Sequence, residues 1–286
     1  MTASGKRLMR AGWELAFPPL GGKASSHPAA LTLAAKEELI RLALDAVNGA
    51  CGEPLRRSRH ASTYRVRWPA GASRGAREIY VKLFDASRGF AALKERVRGS
   101  RAMNMAQMLS ELKEAGFGVP SLLLLGRERA SGRSLAVTTA AEGESLAEVI
   151  SRNGADAARK RSLLRALGVE IARFHRAGFV HGDLTPHNVF VGRGAPAQFS
   201  LIDHDRTRRA ATIGRQRRQL RNLVQLGRFE LKGLTRADRM RFFRAYADAL
   251  ELGGRRLVMR RVLKMLAARQ ARIARTQARR GLERLT

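Results

Sequence analysis

The stretch that decides the fold reads His-Gly-Asp-Leu-Thr-Pro-His-Asn over residues 181–188 and is followed by Ser-Leu-Ile-Asp-His-Asp over residues 200–205. Phosphoryl transfer needs a carboxylate that orients the attacking hydroxyl, and oxygen ligands that hold magnesium against a triphosphate. Asp183 and Asn188 have the spacing that puts such a carboxylate and a metal-binding amide on one loop. Asp203 ends an apolar strand, which can present a second metal ligand rigidly. The stretch therefore predicts the catalytic loop of a phosphotransferase.

Each of these residues also has an ordinary structural interpretation. Asp183 can be a turn residue, and Asp203 can be a helix cap. Their joint occurrence after a helix and between apolar strands favours the catalytic interpretation. We expect His181 to brace the loop rather than to act as a base. His187 and His204 lack the spacing of zinc ligands.

A second signal is the strand Ile79-Tyr-Val-Lys82. A lysine inside an apolar strand is costly unless its ammonium group meets a fixed anion such as a nucleotide phosphate. The alternative is an edge lysine that reaches water. The preceding residues 58–64 would lie over the phosphates but contain no glycine. Any hydrogen bonds to the phosphates must then come from backbone amides and the hydroxyls of Ser62 and Thr63.

The order of the predicted elements indicates the fold class. Alternating apolar residues predict strands at 63–68, 78–84, 119–125 and 134–139, with a turn at 69–75. Helical periodicity predicts helices at 31–47, 100–115, 145–152 and 157–177, and further basic helices after residue 213. Strands come first and helices later, so we predict an α+β fold with two lobes. Residues 51–140 form its small antiparallel sheet lobe, residues 141–286 its mainly helical lobe with the catalytic loop, and residues 1–50 an N-terminal extension.

The net positive charge is large and is concentrated towards the C-terminus. Lys and Arg number 55 against 24 acidic residues, a net charge of +31. Residues 206–286 hold 24 basic and 5 acidic residues. Such a surface favours phosphate-rich partners: an anionic saccharide, an anionic lipid surface or nucleic acid. GC-rich coding would also enrich arginine, but the electrostatic consequence remains.

Other features set the expected compartment. The single cysteine can form no internal disulfide, so nothing demands an oxidising environment. No apolar run approaches the roughly 20 residues of a membrane-spanning helix, and no leader peptide is recognisable. We therefore expect a cytoplasmic protein.

Several of these segments together resemble the lipopolysaccharide kinase family, which phosphorylates Kdo or heptose of the inner core. The resemblance spans roughly residues 55–250. It is carried by IYVKLF at 79–84, SRAMNMAQMLSELKEAGFGVP at 100–120, HGDLTPHN at 181–188, LIDHDR at 201–206, LRNLVQLGRF at 220–229 and LTRADRMRFFRAYA at 234–247. The resemblance implies a two-lobed protein-kinase-like fold that uses ATP and Mg²⁺.

The resemblance also implies roles for individual residues. Asp183 would be the catalytic base, Lys82 would bind the α- and β-phosphates, and Asn188 and Asp203 would hold magnesium. Residues 137–140 would be the hinge that receives adenine.

Within that hinge the adenine contacts would include Thr138 and Ala140, and Glu144 would contact the ribose. One departure from the kinase pattern concerns the helix glutamate that usually pairs with the strand lysine. Residues 101–110 contain no acidic residue, which leaves Glu95 or Glu111 as substitutes.

The C-terminal helix predicted at 255–280 has a narrow apolar stripe surrounded by arginine. It either packs on the helical lobe or contacts an anionic partner, such as a lipopolysaccharide precursor or the inner leaflet of the cytoplasmic membrane.

The expected function is ATP-dependent phosphorylation of a lipopolysaccharide core sugar. The alternatives are an atypical protein kinase or small-molecule kinase, and an inactive kinase fold that binds anionic surfaces.

Overall fold

The N-terminal strands pair into one antiparallel sheet in a computed structural model that describes residues 7–18, 31–58, 60–69, 77–86, 99–152, 156–194, 196–211 and 213–282. The chain divides into two units, residues 1–141 and 142–286. The strands of the first unit are β1 Arg7–Arg10, β2 Trp13–Ala16, β3 Glu53–Arg57, β4 Ala61–Trp68, β5 Arg77–Phe84, β6 Leu122–Glu128 and β7 Ser134–Thr139. Their order is β1-β2-β6-β7-β5-β4-β3. The α+β fold class predicted from the sequence is confirmed.

Helix α1 (Leu33–Val47) covers one face of this sheet. It begins at Thr32, whose side chain accepts a hydrogen bond from the Ala35 N–H. The core beneath it contains both tryptophans of the chain, Trp13 and Trp68. Because successive side chains of a strand point to opposite faces, Ile79, Val81 and Leu83 of β5 also belong to this core.

Helix α2 (Arg101–Glu114) lies on the opposite face, with Ser100 as its N-cap. Its buried contacts include Met105 and Leu109, which pack with Phe84 of β5 and Ala136 of β7. The alternation within β5 therefore sends odd-numbered residues towards α1. Lys82, Phe84 and their even-numbered neighbours lie on the α2 face.

The N-terminal residues differ from the expectation of a separate extension. Strand β2 pairs with β6, and α1 contributes to the same core as the central strands. Strands β1 and β2 have only four residues each, and β3 is exposed throughout, so none of the three had a periodic signal long enough to predict it. The predicted turn at 69–75 lies, apart from Pro69, outside the described residues.

The second unit is mainly helical. Its helices are α3 Leu146–Arg152, α4 Ala157–Arg176, α5 Arg215–Gly227, α6 Arg236–Ala249 and α7 Arg255–Leu282. Its strands are β8 Glu144–Ser145, β9 Phe179–Val180, β10 Val189–Val191, β11 Phe199–Leu201 and β12 Arg208–Arg209. Strand β10 pairs with β8 and β11, and β9 pairs with β12.

Helices α4 and α6 approach closely at Gly168. A Cβ atom added there would lie 2.6 Å from the carbonyl oxygen of Phe242, so only glycine fits. A buried ion pair joins the same helices, with Lys160 Nζ 3.1 Å from Asp238 Oδ2. Burial alone would raise the pKa of Asp238, but the Thr235 hydrogen bonds and Lys160 lower it to about 2. This pair fixes α4 and α6 as the frame behind the catalytic loop.

Candidate active site

The catalytic loop begins at His181, which is fully buried. Its Nε2 lies 2.8 Å from the carbonyl oxygen of Ile202, so Nε2 carries the proton and donates. Its Nδ1 accepts from the backbone N–H of Asp183 at 3.4 Å. Both ring nitrogens are therefore engaged with the two segments that hold Asp183 and Asp203. This arrangement agrees with a bracing role for His181.

Asn188 is oriented by the loop itself. Its Nδ2 donates to the carbonyl oxygen of Asp183 at 2.9 Å. Its own carbonyl accepts from the Ile202 N–H at 3.1 Å, beside Asp203. Because the amide nitrogen is used inside the loop, the Asn188 Oδ1 is the atom left to bind a cation.

Asp203 has φ +66° and ψ +54°, a left-handed conformation that is uncommon for residues other than glycine. The next residue, His204, is buried and holds this turn, with Nε2 2.8 Å from the Leu201 carbonyl and Nδ1 3.0 Å from Thr207 Oγ1. Thr207 in turn donates to the His181 carbonyl at 3.1 Å. The unusual backbone at Asp203 is thus fixed from both sides, which is typical of functional sites.

Gly182 has a steric reason to be glycine. Its φ is +80°, and an added Cβ would lie 2.6 Å from the carbonyl oxygen of Arg206. The backbone of the catalytic loop therefore lies directly on the turn that follows Asp203. A side chain at residue 182 would push these two segments apart.

Two amide residues of α5 were missed by the sequence analysis. Gln225 Nε2 donates to the Gly182 carbonyl at 2.6 Å, and its Oε1 accepts from the Leu184 N–H at 3.2 Å. Asn222 is 1% exposed, and its Oδ1 accepts from the His181 N–H at 3.0 Å. Both hold the backbone around Asp183. The available signal was the pair of amides, three residues apart, in the segment Leu220–Leu226, whose other residues are apolar apart from Arg221.

This support extends to α6 through a buried histidine. His175 Nε2 lies 3.1 Å from Asn222 Oδ1, and His175 Nδ1 lies 2.8 Å from the Tyr246 hydroxyl. Burial lowers the pKa of His175 to about 4, although its bond to Asn222 opposes this. Burial also raises the pKa of Tyr246. The histidine is therefore neutral, and a chain of hydrogen bonds connects α6 to the catalytic loop.

The donor set suits magnesium. Asn188 and Asp203 offer an amide oxygen and a carboxylate, the hard ligands that Mg²⁺ prefers, with phosphates and water completing its shell. Within the described part of the chain, no group of three or more His, Cys, Asp or Glu residues could hold a metal ion by itself. Asn188 and Asp203 supply two oxygen-bearing side chains, and Mg²⁺ usually keeps several waters in its coordination shell.

In the sheet unit, Lys82 of β5 lies opposite Thr63 of β4 and Ala136 of β7. Cross-strand partners share a face, so the Thr63 side chain lies on the Lys82 face. Ser62 pairs with Leu83 and lies on the α1 face instead, so its hydroxyl is not brought to Lys82. The Lys82 Nζ lies 5.3 Å from the centre of the Phe84 ring.

The predicted hinge residues follow on β7. Thr138 is buried and pairs with Tyr80 of β5. The Ala140 N–H donates to the Glu78 carbonyl at 3.2 Å, so this N–H is already engaged within the sheet unit. Glu144, in the helical unit, accepts from Arg152 Nη1 at 2.8 Å.

Asn104 and Met105 occupy the sequence positions where a helix glutamate is expected, and Met105 is 6% exposed and packs against Phe84. Glu111, one of the two possible substitutes, accepts a hydrogen bond from Gln107 on its own helix at 2.9 Å. The other substitute, Glu95, lies outside the described residues.

The sequence profile of the lipopolysaccharide kinase (Kdo/WaaP) family matches residues 65–246, well over half of the chain. The chain belongs to this family.

Two curated relatives of this Kdo/WaaP family member are each similar to part of the chain. A probable bifunctional tRNA threonylcarbamoyladenosine biosynthesis protein of Methanobrevibacter smithii is 33% identical over 104 residues, 36% of this chain and 17% of the relative. The KEOPS complex subunit Bud32 of Pyrococcus abyssi is 31% identical over 114 residues, 39% of this chain and 49% of the relative. The chain thus spans less than half the length of the relatives it matches. Both similarities fit the protein-kinase-like superfamily.

Among the described residues of this family member, no helix combines the length and apolar composition that crossing a bilayer requires.

Proposed function

We propose that this protein transfers the γ-phosphoryl group of ATP to a hydroxyl of a lipopolysaccharide inner-core sugar, Kdo or heptose. The observation that carries the proposal is the hydrogen bond from Asn188 Nδ2 to the Asp183 carbonyl. It sets an acceptor-facing carboxylate and a metal-binding oxygen on one rigid loop. Membership of the lipopolysaccharide kinase family supports the choice of a sugar acceptor.

In the proposed reaction, Asp183 orients the acceptor hydroxyl and takes its proton as the new oxygen–phosphorus bond forms and the bond to ADP breaks. Asn188 Oδ1 and the Asp203 carboxylate hold magnesium, which neutralises charge on the phosphates. Lys82 binds the α- and β-phosphates. These roles need no further proton acceptor.

The proposal also includes the remaining nucleotide contacts. The Ala140 carbonyl and the backbone near Thr138 receive adenine, and Thr63 lies on the correct face for a phosphate. Glu144 contacts the ribose only if its ion pair with Arg152 opens, which makes Arg152→Ala a test of that contact.

The anionic nature of the acceptor is supported by charge. Residues 206–286 hold 24 basic and 5 acidic residues. A basic surface attracts a phosphorylated or carboxylated saccharide and repels cationic antibiotics. We also propose that α7 contacts the inner leaflet of the cytoplasmic membrane, where a lipopolysaccharide precursor is an anionic lipid.

The test is ATP consumption by the purified protein with de-acylated core oligosaccharide, with mass spectrometry locating the added phosphate. Asp183→Ala serves as the control for contaminating kinases. A phosphate on a Kdo or heptose hydroxyl that requires Asp183 supports the proposal. ATP consumption without a phosphorylated sugar contradicts it.

A second candidate is a kinase-fold protein that acts on a protein or on tRNA, favoured by the similarity to Bud32 and to the tRNA-modifying relative. Phosphorylation of the protein itself or of added protein, with no reaction on the oligosaccharide, would favour this candidate. Steeply salt-dependent tRNA binding without any phosphoryl transfer would instead favour an inactive binding module.

A further inference from the structure

Arg228 follows the support residue Gln225 by three positions. The Gln225 amide contacts the Gly182 carbonyl and the Leu184 N–H, the groups on either side of Asp183. Residues three apart share a helix face, and Arg228, the C-cap that follows Gly227, still has helical backbone angles. Its side chain therefore leaves α5 on the side that faces the catalytic loop.

The position of Arg228 is fixed by its neighbours. Arg239 of α6 donates to the carbonyl of Phe229 at 2.8 Å and also to the carbonyl of Gly227. The Arg228 guanidinium lies 4.7 Å from the centre of the Phe229 ring, which contacts the ring of His187 at 5.6 Å between centres. His187 belongs to the catalytic loop, between Asp183 and Asn188.

The half-buried guanidinium of Arg228 forms no hydrogen bond or ion pair with the part of the chain that the structure describes. Donors of a partly buried cation are usually satisfied. The Asp183 carboxylate lies close enough to influence Arg228 electrostatically, but the hydrogen-bond donors of Arg228 remain available to an anionic group of a ligand.

A second arginine, Arg269 of α7, lies near Arg228. Helix α7 packs on α5, and Leu266 Cδ1 would lie 3.7 Å from a Cβ added at Gly227. Arg269 is exposed and lies about one turn further along α7. Burial and Arg269 lower the pKa of Arg228, whereas the Asp183 carboxylate opposes this. Two neighbouring cations are unfavourable unless an anion joins them.

We propose that Arg228 and Arg269 form a subsite that binds an anionic group of the acceptor, a sugar carboxylate or a phosphate, next to Asp183. The inference rests on the proposed function and specifies the acceptor. An anion held here places the rest of the acceptor over the carboxylate that orients its hydroxyl. The subsite also excludes cationic acceptors.

The kinetic test uses Arg228→Gln and Arg269→Gln, singly and together, with Arg228→Lys as the conservative change. The control is Arg217→Gln with Arg256→Gln, two exposed arginines of the same helices; Arg256 is about 20 Å from Arg269 along α7. We expect the KM for de-acylated core oligosaccharide to rise about tenfold or more in the double variant, because a charge-assisted contact is lost. The KM for ATP and the melting temperature should stay near wild type. Arg228→Lys should retain part of the affinity.

The binding test does not need turnover. Calorimetry would measure the binding of two probes, inorganic phosphate for a phosphate group and a Kdo glycoside for a carboxylate. The nucleotide site would be saturated with a non-hydrolysable ATP analogue and Mg²⁺. Affinity lost in the Arg228/Arg269 double variant but kept in the control supports the subsite, and the stronger probe identifies the anion. Equal affinity in all proteins overturns it.

The two proposals can fail separately. Selective anion binding without sugar phosphorylation would retain the subsite and reject the proposed acceptor reaction. Sugar phosphorylation with an unchanged acceptor KM in the double variant would retain the function and reject the subsite. A rise in the KM for ATP alone would assign Arg228 to nucleotide binding and would also reject the acceptor subsite.

Discussion

The side-chain Nδ2 of Asn188 lies 2.9 Å from the backbone carbonyl of Asp183, so one hydrogen bond couples the proposed base to a proposed metal ligand. The amide is thereby oriented with its oxygen away from the loop. A shift of either residue is transmitted to the other.

Asp183→Asn should reduce kcat by about a hundredfold or more, because the amide cannot accept the proton of the acceptor hydroxyl. The backbone contacts of residue 183 remain, so the fold and the affinity for Mg-ATP should be retained. Steady-state kinetics and calorimetric titration of Mg-ATP check this. Wild-type turnover in Asp183→Asn would remove Asp183 from the catalytic role.

Asp203 can be tested with two substitutions that separate its side chain from its backbone. Asp203→Gly and Asp203→Ala should both abolish magnesium-dependent nucleotide binding, because each removes the carboxylate. Asp203→Gly should be more stable than Asp203→Ala by about 1 kcal/mol, because glycine adopts φ +66° without strain. Retained Mg²⁺ dependence in both variants would place the cation elsewhere.

Gln225→Leu should lower kcat about tenfold and leave the KM for ATP nearly unchanged, because the backbone on both sides of Asp183 loses its support. The unsatisfied groups should also cost about 1–3 kcal/mol of unfolding free energy. Gln219→Leu is the matched control, since Gln219 donates only to the His175 carbonyl at 3.1 Å. Equal kcat losses in the two variants would make Gln225 an ordinary structural residue.

His175 should make stability depend on pH. Burial lowers its pKa in the folded protein to about 4, against about 6.5 for an exposed histidine, so between these values the unfolded chain binds a proton that the folded protein does not. The free energy of unfolding should therefore fall as the pH drops from 6.5 to 4, by at most ~3 kcal/mol. His175→Gln keeps polar groups but removes the titration, and urea unfolding at several pH values should show a weaker loss. Parallel pH profiles would contradict a neutral buried His175.

The membrane contact can be tested without disturbing the proposed acceptor subsite. Arg272→Gln with Arg275→Gln removes two exposed charges of α7 and leaves Arg269 in place. Each such charge contributes about 1 kcal/mol near an anionic leaflet, and the effect declines within about 8 Å at physiological salt. Vesicle flotation should therefore show weaker binding to anionic lipid, most clearly at low salt, with an unchanged melting temperature. Equal binding of the variant and the wild type would indicate that α7 only packs on the rest of the protein and does not contact the membrane.

The catalytic loop and the central strands were predictable because their signals are local. The apolar run before Lys82 and the loop from His181 to Asn188 each carry their chemistry within a few residues. The edge strands gave no such signal: β3 is exposed along its whole length and β1 has four residues, so only pairing with neighbours defines them.

The support behind the loop could not be predicted for a different reason. Asn222 meets His181 and His175 across 41 and 47 residues of sequence, and no periodic pattern encodes a contact of that range. Ser62 shows that the face on which a strand residue lies is also difficult to predict from the sequence. A one-residue difference from Thr63 sends it to the other face of the sheet, which depends on the register with β5.

Both tryptophans of the chain, Trp13 and Trp68, lie in the core beneath α1 and thus in the sheet unit. Each is less than 5% exposed, so their fluorescence should be blue-shifted in the folded protein and should shift to the red when this core opens. Far-ultraviolet circular dichroism, in contrast, is dominated by the helices of residues 142–286. One denaturant titration read by both signals would therefore follow the two units separately, and transitions at different midpoints would reveal that they unfold independently.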